Sequence, residues 1–234
     1  MSWDRDVVIK SEAELASMRE AGRVNALALA TVRQLIQPGV TTAELDAAAE
    51  EVIRKHGGEP VFKGYPGAYP YPATLTVSIN DELVHGIPGK RKLHEGDIVS
   101  VDCGTLLDGF VGDSAFSAGV GEISPVAQKL LEVTEQSLWV GIEQMRPGNR
   151  TGDVSAAIQR YVEGQGFHVT REYTGHGVGR KMHEGPQVPN YGTPGRGMLL
   201  RTGMTIALEP MVLIESPATR ICTLWRWASY CNSL

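Results

Sequence analysis

The chain repeats itself. Sliding the sequence by 109 positions superposes Pro38-Gly39 on Pro147-Gly148, Thr42 on Thr151, Ala47-Ala48 on Ala156-Ala157 and Gly57 on Gly166. Two halves built alike is the economical reading. The helix signals agree with it. Ser11 with Glu14 forms a capping box, and Leu15, Met18, Val32, Leu35 and Ile36 predict a long helix that stops at Pro38-Gly39. Thr41 with Glu44 opens a second helix through Leu45, Val52 and Ile53, closed by Gly57. After Ser124-Pro125 the pattern returns. Leu130, Leu131, Leu138 and Ile142 mark a helix that breaks at Pro147-Gly148, and another helix runs from about Thr151 to Val162. The strands repeat at a slightly different offset, 107. Gly96 to Asp102 and Gly203 to Glu209 both turn at glycine, run apolar and end in a carboxylate. Asp102 and Glu209 therefore occupy equivalent places, and halves packed about a pseudo-two-fold would bring them together.

A second carboxylate lies close to Asp102. In VDCGTLLDGFVGDS, Asp108-Gly109 signals a two-residue hairpin turn with arms Val101 to Leu107 and Phe110 to Phe116. That turn sets Gly104 opposite Asp113, so Asp102 and Asp113 share a face as diagonal neighbours, about 7–8 Å apart at Cα. Two carboxylates on a half-buried face repel and lose hydration, unless they protonate or meet a cation. A divalent metal resolves the conflict. The alternative is that Asp113 caps a turn and Asp102 ends a strand with a backbone partner.

Histidines shift the balance toward a metal. Thr174-Gly175-His176-Gly177-Val178-Gly179 surrounds His176 with glycines, which let the backbone approach a ligand closely. His183 follows in Met182-His183-Glu184-Gly185-Pro186, and His85 sits in Val84-His85-Gly86-Ile87-Pro88. The HExxH zinc signature is absent, since Glu184 is followed by Gly185-Pro186 with no second histidine. A carboxylate-rich set with one imidazole suits hard or borderline metals such as Mn, Fe or Co.

Composition closes off other classes. At 234 residues with 42% hydrophobic content the chain can bury one substantial core. A formal charge of -5 leaves no global basic field for DNA. No apolar run reaches the roughly 20 residues of a membrane helix, and Met1 to Lys10 does not read as a signal peptide, so a soluble cytoplasmic protein is expected. Cys103, Cys222 and Cys231 show no disulfide framework or zinc spacing.

SINDELVHGIP, VDCGTLLDGFVGDS, TGHGVGRKMHEGP and ALEPMV, in this order and spacing, resemble the methionine aminopeptidases of the short bacterial type I form, from about Ile9 to Ile214. The resemblance implies the α+β pita-bread fold, with two pseudo-symmetric halves around a central antiparallel sheet. One catalytic domain would span 1–214, with internal halves of about 11–120 and 121–214, followed by an atypical tail at 215–234. It implies two divalent ions (Co, Mn, Fe or Zn), with Asp102 as ligand of one metal, Asp113 bridging both, and His176 and Glu209 on the other. His85 and His183 match the pair that contacts substrate and steadies the transition state. A metal-activated water would attack the first peptide carbonyl, with Glu209 accepting a proton. The implied reaction removes the initiator methionine from nascent chains whose second residue is small, by a monomer.

Departures from the family pattern concern the pocket and the end. Thr76 stands two places before Ser78 where the family often has Cys before its SIN motif, and Met182 stands where Phe commonly precedes the second histidine; Tyr65 and Tyr71 remain expected pocket walls. Met is an adaptable apolar filler, so methionine preference is expected to survive. The chain ends ESPATRICTLWRWASYCNSL with no carboxylate after Glu215, whereas the family's last bridging glutamate would fall beyond Leu234. A truncated or frameshifted end is the expectation, with weakened metal binding and low activity. Two other readings stay open: an X-Pro aminopeptidase, which shares fold and ligands, and a non-catalytic peptide-binding module of the same fold. The basic run Gly89-Lys90-Arg91-Lys92 allows ribosome contact, but without interleaved aromatics a solvated loop is the simpler reading.

Overall fold

The computed structural model describes residues 7–67, 69–224 and 227–232. In chain order the elements are α1 (Glu12–Leu35), α2 (Thr42–Lys55), β1 (Glu59–Pro60), β2 (Leu75–Ile79), β3 (Glu82–Val84), β4 (Ile98–Leu107), β5 (Phe110–Gly119), α3 (Pro125–Gln144), α4 (Thr151–Gly164), β6 (His168–Val169), β7 (Thr174–Gly177), β8 (Glu184–Pro189), β9 (Ile206–Ala207), β10 (Val212–Leu213), β11 (Thr219–Leu224) and β12 (Trp227–Asn232). Helices with antiparallel strands make the α+β class expected from the sequence. Among the described residues no helix is long and apolar enough to cross a membrane. The described residues divide into two compact units, one built on Ala16–Gln128 with the strands after Thr219, the other on residues 7–15 and Lys129–Thr219.

The first of these units is organised by the β4–β5 hairpin. Its register runs unbroken from Ile98 opposite Gly119 to Leu107 opposite Phe110. Asp108 (φ 50°) and Gly109 (φ 78°) are both left-handed, as a two-residue turn matched to strand twist requires. β2 pairs along the other edge of β4, and β1 pairs with its end. Val32 of α1 and Leu45 and Ile53 of α2 join Leu75, Val99 and Val101 of the strands in one buried cluster. The buried stripe of α1 is Ala21, Val24, Asn25, Ala28, Leu29 and Val32; of the residues that marked the helix, Val32 is buried, Leu15 and Met18 are half-buried and Leu35 is exposed. Close approach explains the burial of Ala21, because a Cβ on Gly112 of β5 would lie 2.6 Å from the Ala21 backbone. β12 pairs with β3 and β11 with β12. The side chains of 220–234, on which the expectation about the tail rests, lie outside the described residues.

In the other unit α4 buries Val154, Ile158 and Val162, and Ile158 lies against Gly141 of α3. β7 pairs with β8 on one side and β9 on the other, while β10 pairs with β6. The strand expected to run to Glu209 is short. β9 covers only Ile206–Ala207 because β7 offers it two partners, His176 and Gly177. The N-terminal segment belongs here. Val7 bridges Gly185, and the Lys10 N–H donates to the Gly203 carbonyl at 2.8 Å.

The duplication is written in hydrogen bonds. In one unit Gly39 N–H donates to Leu93 O, Leu93 N–H to Val40 O and Thr42 N–H to Arg91 O. In the other, Gly148 N–H donates to Leu200 O, Leu200 N–H to Asn149 O and Thr151 N–H to Met198 O. The β1–β4 pairing of Glu59 with Leu106 and Pro60 with Thr105 recurs as His168 with Leu213 and Val169 with Val212. Each clasp ties the Pro-Gly break before the second helix to a later loop, so the same turn residues reappear for the same reason.

Candidate active site

The expected carboxylates of the hairpin lie where the turn chemistry puts them. Asp113 is opposite Gly104, and Asp102 is opposite Ala115 on one side and Thr76 on the other. Asp113 stands within β5 and not at a turn, which sets aside the capping alternative. Both are half-buried. A residue that the sequence reading missed braces this segment from α1. The Asn25 amide is fully buried, donates to Cys103 O (2.8 Å) and Ser114 Oγ (2.8 Å), and accepts from Thr105 Oγ1 (2.8 Å). Cys103 and Ser114 directly follow Asp102 and Asp113 in sequence and oppose each other in the ladder, so Asn25 ties the two strands together beside both carboxylates. A polar residue on the apolar face of a predicted helix was the available signal. Burial, and next the Asp102 charge, push the Cys103 thiol far up, so it stays protonated and inert.

His85 lies in the same unit on a strained backbone, with φ 63° outside glycine. Its turn is clamped through the next residue. Gly86 N–H donates to Ser78 Oγ (3.1 Å), and Gly86 O accepts from Val77 N–H (2.8 Å) and from the Tyr71 hydroxyl (3.1 Å). A Cβ on Gly86 would run into the Val77 carbonyl, so only glycine allows the approach. The single Tyr71 hydroxyl hydrogen is shared with Leu75 O (3.0 Å), so the hydroxyl braces both carbonyls; burial, then the charges of Asp46 and Asp102, raise its phenol. Tyr65 is half-buried and Thr76 buried.

In the other unit His176, Glu209 and His183 come together. His176 is buried, and its Nδ1 lies 2.9 Å from the Gly177 carbonyl. A carbonyl only accepts, so Nδ1 carries a proton and Nε2 is the ring nitrogen turned toward Glu209. Nε2 lies 2.9 Å from Glu209 Oε1, a buried oxygen with no hydrogen-bond partner among the described residues. At that distance the carboxylate oxygen takes either an Nε2–H or a cation that both atoms would share. An imidazole steadied by a backbone carbonyl next to an orphaned carboxylate oxygen is the donor set a divalent metal takes, so these residues fit one. The His183 ring lies 4.4 Å from that of His176, centroid to centroid. Met182 beside it is buried.

Two further contacts escaped the sequence reading. Asn190 donates its amide to the Glu209 backbone carbonyl at 2.7 Å. Lys10 and Glu184 form a buried ion pair at 2.5 Å, with side chains 2% and 4% exposed. A charge in sequence does not announce that it is buried.

The profile of metallopeptidase family M24 matches residues 16–226. The methionine aminopeptidase of Clostridium perfringens is 50% identical over 210 residues, covering 90% of this chain and 83% of that protein. Methionine aminopeptidase 1 of Bacillus subtilis is 51% identical over 206 residues, covering 88% and 82%. The solved methionine aminopeptidase of Thermotoga maritima superposes with a TM-score of 0.92 at 44% identity, covering 97% of this chain and 89% of that one. The prolidase of Pyrococcus furiosus, at 21% identity and a TM-score of 0.76, shares the fold alone. The pita-bread fold implied by the resemblance is thereby shown. The chain belongs to metallopeptidase family M24, among its methionine aminopeptidases.

Proposed function

We propose that this chain removes N-terminal methionine from peptides and nascent proteins whose second residue is small, acting as a monomer in the cytoplasm on chains leaving the ribosome. The observation that carries the reading is the facing pair of His176 Nε2 and the orphaned Glu209 Oε1. Asp102, Asp113, His176 and Glu209 are proposed to hold two divalent ions, Co, Mn, Fe or Zn. Such ions supply Lewis acidity and lower the pKa of bound water toward neutrality. The chain's own groups do the rest. His85 and His183 contact the scissile amide, and His183 donates toward the oxygen that gains charge. Glu209 accepts a proton and passes it to the leaving amine. Tyr65, Tyr71, Thr76 and Met182 are proposed to line the methionine pocket, Tyr71 with its ring because its hydroxyl is engaged. Arg91 of the basic run is paired with Glu82 at 2.8 Å, which favours a solvated loop over a ribosome contact.

The test combines metal titration of the metal-free chain by calorimetry with turnover of Met-Ala and Xaa-Pro peptides under added Mn or Co. Cleavage confined to methionyl peptides is expected, with Asp113→Asn and Glu209→Gln each lowering kcat/KM by about 100-fold or more and weakening metal binding. Preference for Xaa-Pro peptides, or turnover indifferent to both substitutions, would overturn it.

A further inference from the structure

The turn that carries His183 is held by a charge brought from the far N-terminal end of the same unit. Glu184 follows His183 directly, and its two oxygens face different partners. Oε1 accepts the backbone N–H groups of Arg180 (2.8 Å) and Lys181 (3.2 Å), closing the turn in which Met182 and His183 sit. Oε2 takes the Lys10 ammonium, which also donates to the Val8 carbonyl at 3.1 Å. Gly179 permits this, since a Cβ there would lie 2.5 Å from Lys10 Cε and 2.7 Å from Glu184 Oε1. Lys10 reaches the site by a second route. Its backbone N–H donates to the carbonyl of Gly203, the left-handed residue (φ 88°) from which the chain enters β9 and then Glu209.

We propose that Glu184, neutralised in place by Lys10, is a positioning residue for His183. A buried ion pair adds little net stability over an apolar pair of similar volume, so stability alone does not account for one here. What the carboxylate adds is directional. It accepts two backbone N–H groups that an apolar side chain would leave unsatisfied, and Lys10 neutralises it in place. The inference rests on the proposed aminopeptidase reading for its kinetic consequence, but its structural content is independent of that reading.

Two double variants separate positioning from simple packing. Lys10→Met with Glu184→Leu removes both charges and the acceptor; Lys10→Met with Glu184→Gln removes the charges but keeps an acceptor for Arg180 and Lys181. Both are expected to unfold cooperatively. The Leu version should lower kcat on a Met-Ala peptide by about tenfold or more with KM changed by about threefold or less, as expected of a misplaced contact group. The Gln version should stay within about threefold of the parent in kcat. In the metal-free chain the His183 ring resonance, assigned by its loss in His183→Gln, should shift or broaden in the Leu version and return in the Gln version. A Leu version with the parental His183 resonance overturns the proposal, whatever the activity. A parent chain that cleaves no methionyl peptide overturns the activity reading instead, and the resonance comparison then decides the positioning role alone.

Discussion

His85-Gly86-Ile87-Pro88 and His183-Glu184-Gly185-Pro186 stand in corresponding places in the two units, yet different forces hold them. The first turn is fixed by neutral contacts, with Gly86 bonded to Ser78 and Val77 and the Tyr71 hydroxyl on its carbonyl. The second is fixed by a buried ammonium and carboxylate whose remaining oxygen collects backbone N–H groups. The contrast shows that the two units share their turns and clasps while holding the side chain at each turn by different means. It also sets unequal stakes. Removing one neutral partner from the first turn costs a hydrogen bond, whereas removing one charge from the second leaves the other buried without its counter-ion.

Single substitutions sharpen that contrast, beginning with the largest. Lys10→Met strands the Glu184 carboxylate and is expected to cost about 3–5 kcal/mol in urea unfolding, most of it recovered when Glu184→Gln is added. Asn25→Ala leaves Thr105 and the Cys103 carbonyl without their buried partner, for an expected loss of about 2–3 kcal/mol. Metal binding by the chain should weaken with it, since the strands bearing Asp102 and Asp113 lose their common anchor. Ser78→Ala removes only the acceptor for Gly86 N–H, and about 1–2 kcal/mol is expected. A Ser78→Ala cost equal to that of Lys10→Met would break the comparison.

What the sequence disclosed and what it withheld divide along the same physical line. Local geometry was legible. Asp108-Gly109 dictated a turn, the turn dictated a register, and the register placed Asp113 opposite Gly104. The capping residues Ser11, Thr41 and Glu44 announced helix starts in the same way. The carboxylates of the candidate site were visible as charges in apolar strands, and its histidines by the Gly and Pro turns around them. The braces were not, because their partners are distant. Asn25 meets residues 78 and 89 positions away, and Lys10 meets one 174 positions away. Apolar periodicity marked the helix α1 but not its buried small residues, for a related reason. It registers how apolar a residue is, while Ala21 is buried because its backbone meets Gly112 of β5 too closely for any side chain there.

The smallest expected effect tests the duplication at its most exposed point, the starts of α2 and α4. Glu44 accepts the Thr41 hydroxyl and the Thr41 N–H, each at 2.7 Å, and these bonds hold its carboxyl below the ordinary 4.5. Asp153 accepts N–H groups from Gly195 and Arg150, each at 2.7 Å, and is held below its ordinary 3.8. Both helix starts thus use a third-position carboxylate on the cap N–H, but only α2 adds a side-chain hydroxyl. A carboxyl depressed in the folded state favours folding above its unfolded pKa, and this contribution fades as pH falls through the folded pKa. Glu44→Gln and Asp153→Asn should therefore each lower the unfolding midpoint slightly at pH 6, with the difference from the parent shrinking below about pH 4.5 and pH 3.8 respectively. Thr41→Ala, which removes the hydroxyl, should cost about 1 kcal/mol and flatten the acid dependence attributable to Glu44 while leaving that of Asp153 intact. A gap between either carboxylate variant and the parent that widens toward acid would mean that the charged form is not what holds the helix start.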